Sequence, residues 1–278
     1  MALLHRSGET IHQRYRLLQT LGEGGCGVTY LAQDLQTNES VALKALSLRQ
    51  GQDWQAIDRF EREARILARL NHPAIPRYLD YFQVDTEHDR VFYIAQQQAP
   101  GKSLSTWVQE GWRTTEAEVQ QIAVQLLKVL IYLHEQKPAV VHRDIKPDNV
   151  IRDSNGNVFL VDFGAVQETY HTTIARSSTV VGTFGYMAPE QFRGQAEPAS
   201  DLYGLGATLL FLLTHRSPAD LPTNGLHLDF RAHVRISERF TDWLMKLLEP
   251  DPVDRFASAR HALRALRQPK LSMHRQPR

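Results

Sequence analysis

Residues 140–166 read VVHRDIKPDNVIRDSNGNVFLVDFGAV, and this stretch decides how the rest of the chain is interpreted. It contains a carboxylate at Asp144, an amide at Asn149 and a second carboxylate at Asp162. Transfer of a phosphoryl group from ATP requires in-line positioning, metal ions on the phosphates and a carboxylate beside the attacking hydroxyl. Asp144 suits the base, and the oxygens of Asn149 and Asp162 are hard donors of the kind that Mg²⁺ prefers. The alternative is that these are ordinary Asp and Asn turn residues. That alternative would account for one such group, but it accounts poorly for the ordered set of three.

Composition sets limits on what the chain can be. Its 278 residues, 42% of them hydrophobic, fit one large domain or two lobes that share a cleft. The net charge of +1 provides no electrostatic argument for binding nucleic acid or an anionic membrane. Cys26 is the only cysteine, so an intramolecular disulfide is excluded, and the longest apolar run, near Ala207–Leu213, is too short to span a bilayer. We therefore expect a cytoplasmic protein without a membrane segment.

The first hundred residues predict a mainly β lobe with one helix, ending near Gln97. Alternating apolar residues and glycine or polar breaks predict strands, whereas apolar residues every three or four positions predict a helix. The predicted strands cover about 15–21, 28–34, 40–46, 77–84 and 91–96, and the predicted helix covers about 53–70.

The remainder of the chain predicts a mostly helical lobe. A dense apolar stripe over 119–136 predicts a buried helix, and 140–185 reads as a loop-rich segment with short apolar runs. Further helices are predicted at about 201–214, 240–248 and 257–266, with an irregular stretch over 215–235. We expect a domain over 15–268, divided near residue 97, between an N-terminal tail at 1–14 and a basic C-terminal tail at 269–278.

A glycine-rich turn separates the first two predicted strands: Gly22, Glu23, Gly24, Gly25, Cys26 and Gly27. Glycines let backbone amides approach phosphates without interference from a Cβ atom. A tight hairpin would produce the same pattern, and a dinucleotide-binding fold would place a helix after it. Because a strand follows here, the context favours a flap over ATP. A reactive thiol at Cys26 is conceivable, but an incidental loop residue is the favoured interpretation.

Lys44 lies on the third predicted strand, and Glu63 follows in the predicted helix. At 100° per residue, Glu63 falls about 60° from Phe60, at the edge of the apolar stripe. From there its carboxylate can meet a lysine that emerges from the sheet and help to hold that lysine against the α and β phosphates. The alternative is a solvated charge, because Glu61, Arg62 and Arg65 surround it.

The motifs occur in a fixed order that ends with Ala188-Pro189-Glu190, and over about 15–266 the chain resembles a eukaryotic-type protein kinase of the Ser/Thr class found in bacteria. The resemblance implies a two-lobed α+β fold with a small β-rich N-lobe and a large helical C-lobe. It implies Asp144 as the base, Lys146 as the lysine that stabilises the transition state, and Asn149 and Asp162 as Mg²⁺ ligands. It further implies that Thr183 bonds the base and Lys146, that Asp201 braces the catalytic loop, and that Arg255 pairs with Glu190.

The same resemblance implies the adenine site. Gln96 stands at the gatekeeper position before the hinge, and the ATP-contacting positions are Gly22, Glu23, Gly24, Gly25, Gly27, Thr29, Ala42, Lys44, Gln97 and Ala99. This chain departs from the usual pattern at Cys26, at Thr29 and in the hinge glutamines. None of these departures removes a group that the chemistry requires.

Between Gly164 and Ala188 the sequence is rich in threonine and serine. In the family, an arginine such as Arg143, before the base, pairs with a phosphate added to this segment, which can order it. We predict autophosphorylation, with the candidates Thr172, Thr173, Ser177, Ser178 and Thr179. The alternative is an exposed loop with ordinary serines and threonines.

Together these features predict an ATP- and Mg²⁺-dependent kinase of protein Ser and Thr hydroxyls. Expected partners are protein substrates and a second copy of the chain during autophosphorylation. One alternative is a pseudokinase that only binds, but Lys44, Asp144, Asn149 and Asp162 are all present. Another is a small-molecule kinase, which would not need the peptide platform at Thr183 and 188–190.

Overall fold

The computed structural model describes residues 4–24, 27–48, 54–86, 89–169 and 183–268. The chain divides into two compact units, one with residues 1–107 and 147–166, the other with 108–146 and 167–278. The polypeptide therefore leaves the first unit, returns with the segment that carries Asn149 and Asp162, and leaves again. The predicted domain limits stay a prediction.

An antiparallel six-stranded sheet forms most of the first unit, with strand order β1-β2-β3-β4-β6-β5. Its strands are β1 (Thr10–Ile11), β2 (Tyr15–Gly24), β3 (Gly27–Asp34), β4 (Ser40–Ser47), β5 (Tyr78–Asp85) and β6 (Arg90–Gln97). The helix α1 (Trp54–Leu67) connects β4 to β5 and ends three residues before the predicted limit. The strands predicted from Tyr15 onward are confirmed. Ahead of them, Ile11 is buried in the sheet's core, so the segment predicted as a tail contributes to this unit.

The two faces of this sheet carry different side chains. Alternate residues point to opposite faces of a strand, and the β4 residues Val41, Leu43 and Ala45 join the buried core on one face. Ala42 and Lys44 therefore point to the other face. Lys44 therefore lies on the face opposite Val41, Leu43 and Ala45, and it shares that face with the apolar Ala42 and Leu46.

A second, three-stranded sheet holds the segment that returns to the first unit, with the order β10-β9-β7. Its strands are β7 (Lys102–Ser103), β9 (Val150–Arg152) and β10 (Val158–Leu160). Gly101 has φ 104°, and a Cβ atom there would lie 2.2 Å from the carbonyl oxygen of Arg152, so only glycine fits this approach. This stretch was predicted to be loop-rich with short apolar runs. The structure forms the strands β9 and β10 within it, and three residues are too few to show the periodicity of a strand.

Helices dominate the second unit. They are α3 (Glu116–His134), α4 (Pro198–Thr214), α5 (Glu238–Leu247) and α6 (Ala259–Arg267), and α2 (Leu104–Gln109) lies where the chain passes between the units. Two short pairs of strands accompany them: β8 (Ala139–Val141) with β11 (Gln167–Thr169), and β12 (Thr223–Asn224) with β13 (His227–Leu228). A capping box starts α3, since Thr115 Oγ1 accepts from the Glu118 amide and the Glu118 carboxylate accepts from the Thr115 amide.

The four predicted helices are present, and α4 begins three residues early because Pro198 suits the first turn of a helix. The predicted α+β class, with a small β-rich lobe and a larger helical lobe, is confirmed. Within the described ranges, no helix has the length and apolar character needed to cross a membrane.

Candidate active site

In the first unit, Lys44 is held between two carboxylates. Its Nζ donates to Glu63 Oε1 at 2.9 Å, to Glu63 Oε2 at 2.8 Å and to Asp162 Oδ1 at 2.7 Å. Lys44 and Glu63 are buried, whereas 43% of the Asp162 side chain is exposed. The structure thus joins three predicted site residues from distant parts of the sequence, and it leaves one carboxylate accessible.

Burial and the neighbouring charges act in opposite directions on the ionisation of Lys44 and Glu63. Burial disfavours the charged form of Lys44, but Glu63 and Asp162 outweigh that effect and raise the pKa of the ammonium. Burial raises the pKa of the Glu63 carboxyl, and the adjacent Lys44 opposes the rise. Lys44 is therefore a fixed cation at neutral pH. Because Glu63 has no exposed surface, the alternative of a solvated helix charge is wrong.

Lys44 shares its face of the sheet with the predicted adenine-contacting positions. Thr29 on β3 lies opposite Lys44, and Gln96 on β6 lies opposite Ala42. Directly paired residues point to the same face, so these four side chains lie together on the face opposite Val41, Leu43 and Ala45. The Gln97 amide donates to the Arg77 carbonyl at 2.8 Å, which ties the end of β6 to the residue before β5. Ala99 follows this strand and is partly exposed.

The glycines of the first hairpin fall into two kinds. Gly27 has φ 114°, and a Cβ atom there would lie 2.1 Å from the Ala45 carbonyl oxygen. At Gly22 and Gly24 nothing lies within 4 Å of such an atom, and Glu23 between them is exposed. The fold itself requires glycine at Gly27, whereas packing does not explain the other two. The predicted Gly25 and Cys26 lie outside the described residues.

One backbone hydrogen bond connects the two segments that carry Asn149 and Asp162. The amide of Val161 donates to the carbonyl of Asn149 at 2.9 Å, immediately before Asp162. Asp162 itself has φ 61°, in the left-handed region that non-glycine residues seldom adopt outside functional sites. In the described part of the chain, no three His, Cys, Asp or Glu residues form a cluster that could hold a metal. Mg²⁺ commonly binds one or two carboxylates together with phosphates and water, so the oxygens of Asn149 and Asp162 fit this ion.

In the second unit, Asp144, Lys146 and Thr183 form a closed set of contacts. Thr183 Oγ1 donates to Asp144 Oδ1 at 2.9 Å, and Lys146 Nζ donates to Thr183 Oγ1 at 2.7 Å. Lys146 Nζ also lies 3.0 Å from Asp144 Oδ2. Asp144 and Lys146 are partly exposed. Both Asp144 oxygens are therefore oriented while the carboxylate remains accessible.

A buried carboxylate, Asp201 on α4, fixes the backbone ahead of Asp144. Its Oδ1 accepts from the Arg143 amide at 2.8 Å, and its Oδ2 accepts from the His142 amide at 2.9 Å. Arg143 has φ 71°, a conformation that needs such support. His134 Nε2 lies 2.9 Å from the same Oδ2. The predicted brace is present, and His134 is an additional member that sequence reasoning missed.

Two further contacts of the catalytic loop were missed by sequence reasoning. A Cβ atom on Gly204 would lie 3.1 Å from the Ile145 carbonyl oxygen, so the small residue permits a close approach of α4 to the loop. Gln191 Nε2 donates to the Arg143 carbonyl at 2.9 Å. Neither residue belongs to a motif with a chemical signature, and no sequence signal distinguishes them from ordinary helix residues.

The segment after Thr183 is tied down by a buried ion pair. Arg255 donates to both oxygens of Glu190, at 2.6 and 2.8 Å, and Ser200 Oγ donates to Glu190 Oε1 at 2.6 Å. The predicted pairing of Glu190 with Arg255 is confirmed, and its role is structural. The predicted phosphorylation sites Thr172, Thr173, Ser177, Ser178 and Thr179 lie outside the described residues.

Comparison with known proteins places these sites in context. The family described as "Protein kinase domain" matches residues 15–266. Serine/threonine-protein kinase B of Synechocystis sp. is 36% identical over 276 residues, which cover 93% of this chain and 47% of the relative. Serine/threonine-protein kinase PknA of Nostoc sp. is 38% identical over 274 residues, covering 93% and 48%. PrkC of Bacillus subtilis is 36% identical over 214 residues, covering 77% and 32%. The chain spans about half the length, or less, of these curated relatives.

Proposed function

The chain belongs to the protein kinase domain family, and we propose that it transfers the γ-phosphate of ATP to serine and threonine hydroxyls of proteins. The observation that carries this proposal is the Lys44 ammonium, which contacts buried Glu63 and accessible Asp162 at the same time. A lysine fixed in this way presents its charge to the phosphates at one defined point. A module that only bound other proteins would not need a lysine positioned towards phosphates.

We propose that Asp144 is the residue that contacts the acceptor hydroxyl of the substrate. Its carboxylate takes the proton of the substrate hydroxyl, and Thr183 orients it by donating to Oδ1. Lys146 lies beside the same carboxylate and can stabilise negative charge on the phosphoryl group during transfer. Both roles are positioning and electrostatics, which supply most of the catalysis in phosphoryl transfer.

We assign nucleotide binding to the face of the first sheet that carries Lys44. Gly22 and Gly24, where packing does not require glycine, would allow the backbone amide of Glu23 between them to approach phosphates. Thr29 and Ala42 would cover the adenine, and the backbone of Gln97 and Ala99 would hydrogen-bond its edge. Gly27 contributes indirectly, by holding the hairpin close to β4.

Asn149 and Asp162 would hold Mg²⁺ through their side-chain oxygens. Held there, the ion would supply positive charge against the phosphates during transfer. Asp162 serves a second purpose, because its Oδ1 accepts from Lys44 and so links the ion's ligand to the phosphate-binding lysine.

The preference for proteins rests on the segment from Thr183 to Glu190. The bonds from Arg255 and Ser200 to Glu190 hold this segment in the second unit, where a peptide could lie along it. The similar proteins of Synechocystis and Nostoc are named as Ser/Thr-protein kinases, which favours serine and threonine over tyrosine. A small-molecule kinase would need no such segment.

We further propose that two copies of the chain phosphorylate each other on the segment between Gly164 and Thr183. Arg143 beside Asp144 and the candidates Thr172, Thr173, Ser177, Ser178 and Thr179 motivate this proposal. A phosphate that meets an arginine gains charge-assisted hydrogen bonds of roughly 1.5–3 kcal/mol, enough to shift a loop equilibrium about tenfold or more. Dephosphorylated protein should then show a lag that preincubation with Mg²⁺ and ATP removes. Alanine at Ser177–Thr179 should preserve the lag, and a constant initial rate without any phosphate in this segment would contradict the switch.

The transfer reaction is tested by incubating the chain with γ-labelled ATP, Mg²⁺ and a generic basic protein, followed by mapping of the labelled residues. We expect label on serine and threonine of the added protein and none when Mg²⁺ is removed by a chelator. Label confined to tyrosine, or nucleotide binding without any transfer, would overturn the assignment.

A further inference from the structure

Positive charge is concentrated at the carboxyl end of this chain. From Arg255 to Arg278 the sequence has seven arginine or lysine residues and no aspartate or glutamate. Since the whole chain carries a net charge of only +1, the residues before Arg255 are net negative. Positive and negative charges are therefore unevenly distributed along the chain. The low net charge of the whole chain does not argue against binding of an anionic surface by its carboxyl-terminal part.

Three of these cations form a stripe on α6, which we call the arginine stripe: Arg260, Arg264 and Arg267. All three are exposed. At 100° and 1.5 Å per residue they lie within about 60° of one another and extend over about 10 Å. Ala259 and Ala262 are buried on the opposite side of the helix. The stripe therefore faces solvent along the whole helix.

The opposite side of α6 is anchored firmly. Trp243 Nε1 donates to the Ala262 carbonyl at 2.9 Å, and an Arg239 Nη2 donates to the Leu266 carbonyl at 2.7 Å. Glu135 accepts from Arg260 in an exposed ion pair. Among the residues that the structure describes, Arg264 and Arg267 have no carboxylate partner. The stripe is therefore carried by an anchored helix, and Glu135 pairs with only one of its three guanidinium groups.

We propose that the arginine stripe binds a membrane surface rich in anionic phospholipid headgroups. Guanidinium groups bond phosphate oxygens in pairs, and basic residues on an amphipathic helix are suited to anionic leaflets. Single-stranded nucleic acid would instead favour aromatic side chains for stacking, and none follows Phe256.

The net negative charge of the residues before Arg255 should orient the chain on the lipid surface. The same lipid surface repels the residues before Arg255 taken together, so the α6 end of the second unit should face the lipid. Binding is expected to be peripheral, since the apolar side of α6 is occupied within its own unit. It should also weaken steeply as salt screens the headgroups.

The test is co-sedimentation of the full chain with phosphatidylcholine vesicles that contain or lack phosphatidylglycerol. We expect binding only with phosphatidylglycerol and its loss at high salt. Each basic residue near such a surface contributes roughly a fivefold effect, so replacing Arg260, Arg264 and Arg267 by glutamine should reduce partitioning about 100-fold. Lysine at the same three positions should retain most of the binding, and thermal unfolding of both variants checks that the helix persists.

A matched control removes three exposed arginines elsewhere: Arg16→Gln, Arg65→Gln and Arg235→Gln. It changes the total charge equally and should leave most of the partitioning intact. Equal losses in the stripe and control variants, or no sedimentation of the unmodified chain, would overturn the proposal. Tighter binding to duplex DNA than to vesicles at the same ionic strength would also overturn it. No readout involves phosphoryl transfer, so the result is independent of the proposed function.

Discussion

The two groups of candidate catalytic residues are held in place in different ways. In the first unit, Lys44 and Glu63 are buried and the charges of the cluster hold one another. In the second unit, Asp144 and Lys146 belong to one partly exposed loop, whose backbone is fixed by buried Asp201. The first group therefore depends on charge balance, and the second depends on backbone position.

This difference separates the consequences of substitution. Neutralising a buried charge should change how tightly the phosphates are held, because the Lys44 position is set by its partners. Removing a carboxylate from the scaffolded loop should change the rate and leave nucleotide binding intact, because the loop's geometry does not depend on Asp144.

The largest effect is expected for Asp144→Asn. The amide keeps the shape and loses the base, so kcat should fall by roughly 10²–10⁴-fold, while ATP affinity stays unchanged. Steady-state kinetics and nucleotide titration measure the two quantities. Asp148→Asn is the matched control, since Asp148 is exposed in the same loop and should keep full activity. Near-normal turnover by Asp144→Asn would remove Asp144 from the mechanism.

Glu63→Gln tests the charge cluster. It preserves the size of the side chain but weakens its bonds to Lys44. Charge-assisted hydrogen bonds contribute about 1.5–3 kcal/mol, so kcat/KM for ATP should fall by roughly 10–100-fold, mainly through KM. Glu61→Gln, exposed on the same helix, is the control and should have little effect. Equal changes in the two variants would show that the pair does not position Lys44.

The hairpin glycines provide a comparison within one turn. Gly27→Ala should lower the free energy of unfolding by about 1–3 kcal/mol, because of its positive φ and the contact with Ala45. Gly24→Ala should leave unfolding unchanged and raise KM for ATP. Denaturant unfolding and ATP kinetics on both variants distinguish the roles. The interpretation fails if Gly24→Ala unfolds as readily as Gly27→Ala.

The smallest effect is expected for the ion pair between Arg14 and Asp34 in the first unit, whose arginine is partly exposed. Arg14 donates to both oxygens of Asp34, and these hydrogen bonds lower the pKa of Asp34 to about 2. A lowered pKa stabilises the fold above the ordinary value near 3.8, and this contribution is lost as the pH falls towards 2. Because Arg14 is partly exposed and screened by solvent, we expect Asp34→Asn to cost about 1 kcal/mol at pH 7.

Unfolding experiments from pH 7 to 3 measure this contribution. The difference between the unmodified chain and Asp34→Asn should narrow as the pH falls below about 4. A difference that is constant over this range would show that the charge of Asp34 contributes nothing to stability.

Much of the fold was predictable because the long elements have strong local patterns. The strands from Tyr15 to Gln97 show alternation, and the helix from Glu116 carries a dense apolar stripe, so both were predicted to within a few residues. The three-residue strands β9 and β10 were not predicted, since pairing with β7 and not local propensity defines them. The glycine pattern alone could not show that Gly27 and Gly24 differ, because that distinction depends on the neighbouring strand.

The sequence by itself determined which reactive groups are present and in what order, since Lys44, Asp144, Asn149 and Asp162 lie in motifs whose spacing is local. Only the tertiary structure decided that Glu63 is a buried partner of Lys44 and not a solvated charge. It also decided that His134 and Gly204 support the catalytic loop. The physical reason is that burial and contact depend on how distant elements pack, and a helix or strand pattern specifies a face without specifying what covers it.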